Sequence, residues 1–143
     1  MLLYPPIIAI KRLNALSESW HEHDPVILNK MLDEINFKLE TTPDDLELLM
    51  EKASILRHLN KLDEAMNIHQ LLITREPKNL DFIFMMGLMC IESERYEEAI
   101  KNFKDLLKKN PKHRDAHFNI GLAYKKLGKK KLADKHLKKA LSF

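Results

Sequence analysis

The sequence predicts an all-α fold of stacked antiparallel helix hairpins, about eight helices in all, on three observations. Small and helix-ending residues recur every 34 positions, at Pro43, Pro77 and Pro111, at Ala65, Ala99 and Ala133, and at Ala53, Gly87 and Gly121. Apolar residues between these markers follow helical spacing, and no run of alternating β-branched residues suggests a strand. Glycine is scarce, with only three in 143 residues. A helix pair repeated at this period has an apolar face that it cannot bury alone, so successive pairs stack.

Close packing explains the grid. Ala or Gly is required where two helix backbones approach most closely, because a larger side chain would push them apart. Proline lacks an amide hydrogen and restricts the residue before it, so it ends each unit. At 143 residues, with 45% hydrophobic and 31% charged residues, the chain suits one soluble domain, 1–143, burying about two-thirds of its unfolded surface. Its net charge of +3 hides an asymmetry. Residues 101–143 hold 14 of the 24 Lys and Arg but 3 of the 21 Asp and Glu, a balance of +11, which leaves −8 for the rest. The lone Cys90 rules out an internal disulfide, favours a reducing, cytoplasmic compartment, and lies at an apolar-face position that suits a buried small hydrophobe.

Residues 1–10 are apolar but too short, and too rich in proline, to span a bilayer, and they lack the basic start and cleavage site of a secretory signal. Ile7, Ile8, Ile10, Leu13, Leu16 and Trp20 form a first amphipathic helix, while residues 1–5 can act as a docking arm. In the loop 21–25, Asp24 caps the next helix with Pro25 at its first position. His21 and His23 with Glu22 or Asp24 do not make a metal site, because no further ligand cluster accompanies them. Ile27, Leu28, Met31, Leu32, Ile35 and Leu39 line the helix from 25 to about 40, so 6–43 is a degenerate first hairpin. Thr42 is expected to cap the next helix, with Pro43 at its first position, running to about Asn60; a partner helix reaches about Arg75. The units are therefore 44–79, 80–113 and 114–143, with Gly128 marking the last turn.

Gly87, Ala99, Phe103 and Pro111 carry a resemblance to the tetratricopeptide repeat. It is close over 44–143 and only outlined over 6–43, and the tryptophan near the start of each unit is missing. The resemblance implies a right-handed α-solenoid whose first helices line a concave groove for a peptide or protein segment, without catalysis. Transferred to this chain, the groove positions are Met50, Ser54, Phe84, Leu88, Phe118, Asn119, Leu122, Lys125 and Lys126. Two apolar rows are expected there, with the acids Glu47, Asp81 and Asp115 along one edge. The lysine and arginine clamp by which related co-chaperones grip an acidic chain end is missing, since Glu47, Met50, Glu51, Asp81, Phe84, Met85, Asp115 and Phe118 take its places and only Asn119 fits. The implied ligand is an apolar or amphipathic segment.

No Gly-rich phosphate loop, nucleophile elbow or paired CxxC occurs. His58, His69, His113, His117 and His136 fall on different helices and faces of the predicted fold, so no enzyme, cofactor or metal is expected. Two further partners are weighed. The lysines at 125, 126, 129, 130, 131, 135, 138 and 139 suit an anionic partner; nucleic acid is disfavoured because few aromatics interleave them. Self-association through Leu2, Leu3, Tyr4, Leu137, Leu141 and Phe143, as a homodimer, would cover an end hairpin that lacks a polar cap.

Overall fold

A computed structural model describes residues 24–143, and the expected first helix, like the arm at 1–5, lies outside them. Seven helices are described: α1 Pro25–Thr41, α2 Leu46–His58, α3 Leu62–Arg75, α4 Leu80–Glu92, α5 Tyr96–Lys109, α6 Arg114–Lys126 and α7 Lys130–Ser142. No strand occurs among the described residues. Two compact units divide at Ala65/Met66, inside α3, and each is described by itself.

In the first unit α1 packs on α2. Asp24 caps α1 by accepting from the Val26 amide at 2.9 Å, and Pro25 takes the first turn, as expected. Leu28, Leu32 and Ile35 are buried, one helical turn apart. The expectation for Thr42 fails. Its amide and its hydroxyl both bond to the Lys38 carbonyl, so Thr42 closes α1 rather than opening α2. Asp45, two residues past the proline, is the cap, accepting from the Leu48 amide at 3.1 Å. The same offset recurs every 34 residues: Asn79 accepts from the Asp81 amide at 3.1 Å, and the His113 ring nitrogen Nδ1 from the Ala116 amide at 3.1 Å.

A second grid ends the first helix of each pair. Asn60 and Glu94 have φ of 59° and Gly128 of 74°, again 34 residues apart. Each sits in a left-handed cap: Lys61 donates to the Leu56 carbonyl at 2.8 Å, Arg95 to Cys90 at 2.8 Å, and Lys129 to Tyr124 at 2.9 Å. Those bonds satisfy carbonyls that a helix end would otherwise leave open and reverse the chain into the partner helix.

In the second unit α4, α5, α6 and α7 pack in sequence, and α4 also touches α6. A Cβ placed on Gly87 would meet the Phe103 ring at 2.6 Å, so the aromatic side chain of α5 lies directly on the α4 backbone. Thirty-four residues on, a Cβ on Gly121 would meet Leu137 at 2.7 Å. Phe103, Leu106, Met89 and Ile120 are fully buried, each burial worth roughly 1.5–3 kcal/mol. Cys90 is buried as expected, its thiol 3.9 Å from the Met66 sulfur. Burial, followed by the Glu98 carboxylate, pushes the thiol pKa up.

Glu94 is the one side chain other than Asn that holds a left-handed conformation among the described residues. L-residues other than Gly pay about 1–2 kcal/mol there. Glu94→Gly should therefore stabilise the chain by roughly 0.5–1 kcal/mol, measured as a raised denaturant midpoint with an unchanged slope.

Candidate functional site

The expected groove residues divide between the two units. Met50 and Ser54 stand on α2 in the first, both exposed, with the Ser54 carbonyl bonded to the His58 ring at 2.8 Å. In the second unit Phe84 and Leu88 lie one turn apart on α4, and Phe118 and Leu122 one turn apart on α6. Their exposures differ, and the difference separates wall from contact surface. Phe84 and Leu88 are half-buried. The Phe84 ring packs at 5.6 Å from Phe103 and 5.3 Å from His113, so it supports the helix pair. Phe118 is 47% exposed and Leu122 37%, although every other side of α6 is covered through Ala116, His117, Ile120, Gly121, Ala123 and Tyr124.

Asn119 is half-buried and turned back, its amide donating to the Asp115 carbonyl at 2.8 Å. Lys125 and Lys126 are exposed in the last turn of α6. Glu47, Asp81 and Asp115 are exposed in the first turns of α2, α4 and α6, where a negative charge complements the helix dipole. Their regular recurrence therefore has a sufficient cause in helix stability.

Of the self-association set, Leu2, Leu3 and Tyr4 lie outside the described residues. Leu137 is half-buried beneath Gly121, Leu141 is 80% exposed, and Phe143 is half exposed with its ring 5.4 Å from His117. The lysines of α7, at 130, 131, 135, 138 and 139, are all exposed.

The scatter expected for the histidines is corrected at one place, because α6 and α7 bring His117 and His136 together, Nδ1 to Nδ1 at 3.2 Å. His117 is buried, and its Nε2 lies 2.9 Å from the Pro111 carbonyl. A carbonyl can only accept, so His117 carries its proton on Nε2. Its Nδ1 must then accept from Nδ1–H of His136, which leaves the lone pair of His136 on Nε2. The Tyr124 ring stacks 5.7 Å from His136, and its hydroxyl accepts from the Lys104 ammonium at 2.9 Å. The preceding unit uses the same two places differently, with the Asn102 amide 3.7 Å from the Cys90 sulfur. Sequence reasoning missed the histidine pair, and the repeat gives no sign of it, since the places 34 residues earlier hold Ile83 and Asn102.

No group of three or more metal-ligating side chains occurs among the described residues, and no described helix is long and apolar enough to cross a membrane. Family models support the repeat directly: one for the TPR repeat matches residues 87–128, and one for the tetratricopeptide repeat matches 115–143. Residues 87–143 carry tetratricopeptide repeats. No curated protein sequence matches it. Among solved structures, a crystal structure of MamA superposes with a TM-score of 0.74 at 21% identity, covering 95% of this chain and 85% of that one. MamA from AMB-1 gives 0.69 at 24% identity, over 80% and 67%. A tetratricopeptide repeat protein from Parabacteroides merdae gives 0.73 at 22% identity, over 94% of this chain and 53% of that one. At these identities the likeness is one of fold.

Burial, then His117, then Lys139, Lys104 and Lys135, lower the His136 pKa from 6.5 to about 4. The unfolded state therefore binds this proton at higher pH than the folded state does, so the contribution to stability is present above about 6.5 and is lost as pH falls toward 4. His136→Gln, which keeps a donor but does not titrate, should lose less stability than the parent between pH 7 and 4.5, measured by urea midpoints across that range.

Proposed function

We propose that this tetratricopeptide-repeat chain is a non-catalytic interaction module, and that the α4–α6 side of its second unit receives an apolar or amphipathic segment of a partner protein. The observation that carries this is the exposure of Phe118 and Leu122 on a helix buried on its other sides. Packing α6 on α5 and α7 does not need an apolar pair on the remaining side, and aromatic anchors of this kind dominate binding energy where a partner covers them. Phe84 and Leu88 form the supporting wall, and Lys125 and Lys126 offer cations at the far end of α6. Met50 and Ser54 present a comparable surface on α2. A reducing, cytoplasmic setting agrees with the buried Cys90 thiol. Self-association is a second reading, favoured by the exposure of Leu141 at 80%, and it is compatible with the first.

Phe84 is unsuitable for the test because its loss would loosen the contacts with Phe103 and His113. Phe118→Ala with Leu122→Ala touches little of the core, so the melting temperature should stay within the small range of surface substitutions, about 0.5 kcal/mol each way. Capture of partners by the immobilised chain, read by quantitative mass spectrometry, should fall about 30-fold or more, the equivalent of roughly 2 kcal/mol. Unchanged capture with unchanged stability would overturn the reading.

A further inference from the structure

We propose that the open cleft bordered by α5, α6 and α7 on the Pro111 side is a binding site for a small organic acid, a carboxylate joined to an apolar body. The cleft has a volume of about 500 Å3 and is lined by Leu107, Pro111, His117, His136, Lys139 and Phe143, with Ser142 at its edge. Small-molecule sites occupy about 300–1,000 Å3 and combine an apolar lining with a few placed polar groups. Leu107, Pro111 and Phe143 supply the apolar part. This region is at the opposite end of α6 from Lys125 and Lys126, and it shares no residue with the groove.

The charged side chains around the cleft are of one sign. His136 faces Lys104 from α5, His117 and Tyr124 from α6, and Lys135 and Lys139 from its own helix, with no carboxylate among the groups acting on it. One of these cations, Lys104, is turned to the Tyr124 hydroxyl. Lys139 lines the cleft and is exposed, so its ammonium can meet an incoming carboxylate. A cluster of cations beside apolar surface concentrates positive potential where a carboxylate would sit.

The histidine pair gives the site a distinguishing chemical property. Because the Pro111 carbonyl fixes the proton of His117 on Nε2, His136 donates through Nδ1, and its Nε2 has only a lone pair. A carboxylate has only lone pairs as well. It can bond there only if His136 takes one proton from solvent onto Nε2, becoming an imidazolium that donates to His117 through Nδ1 and to the ligand through Nε2. Binding is therefore linked to uptake of a proton and strengthens as pH falls from 7 toward 5.

The test is a titration of the full chain, observed by NMR at His117 and His136, with 3-phenylpropionate as probe. Its neutral analogue 3-phenylpropanol, inorganic phosphate, and the peptide acetyl-Phe-Glu-amide serve as comparison arms. The proposal expects shifts localised to the histidine pair, a raised His136 pKa in the complex, and affinity that increases between pH 7 and 5. Lys139→Gln should weaken binding about fivefold, the scale of a partly exposed charge pair, while Lys125→Gln leaves it unchanged. Equal binding of 3-phenylpropanol would show an apolar cleft only and overturn the assignment. Phosphate binding as tightly as the acid would show a diffuse lysine field and overturn it too. Tighter binding of the peptide than of the free acid would overturn the small-molecule source, and no shift with millimolar probe would overturn the site itself.

Discussion

The close approach of the Phe103 ring to the backbone at Gly87 is the constraint on which the second unit depends. With the ring 2.6 Å from where a Cβ would stand, α4 and α5 approach as closely as a glycine permits. That contact sets the hairpin, and it places Phe84 against Phe103 and His113 rather than in solvent. α6 then stacks on a fixed surface, and its uncovered side presents Phe118 and Leu122. The exposure of this pair therefore follows from a packing requirement two helices away.

Repetition converts this contact into a rule. Gly121 and Leu137 repeat it in the last hairpin, with an aliphatic side chain in place of the ring. The helix ends repeat too, with side-chain caps at Asp45, Asn79 and His113 and left-handed residues at Asn60, Glu94 and Gly128. Different chemistries meet one geometric demand at each place: a carboxylate, an amide and an imidazole all accept from a first-turn amide. What varies at equivalent places is where individual character enters, as when Cys90 and Asn102 become Tyr124 and His136.

Most of the fold was legible in the sequence because backbone requirements fall on single residues at a constant interval. Pro43, Pro77, Pro111, Gly87 and Gly121 carried the helix pairs, and Gly128 carried its turn. Thr42 was misread because a threonine before a proline suits a helix start, yet here its hydroxyl has a closer acceptor in the Lys38 carbonyl. Glu94 gave no local sign of a left-handed turn; only its interval from Asn60 and Gly128 reveals it. For the candidate site, the sequence offered positions but not exposures. The resemblance to the tetratricopeptide repeat put Phe84, Leu88, Phe118 and Leu122 at matching places of α4 and α6, but their unequal burial depends on neighbours in α5 and on His113. The His117–His136 pair was invisible to motif reasoning, since it joins residues 19 apart on two helices through a contact that only the hairpin creates.

The most direct test of this account is the proton spectrum of Gly87. If the Phe103 ring lies on the α4 backbone, one Hα of Gly87 is shifted strongly upfield by the ring current and shows nuclear Overhauser contacts to the Phe103 ring protons. Both Hα signals at the position of an unstructured glycine, with no contact to that ring, would contradict the hairpin geometry on which the proposed interaction surface rests.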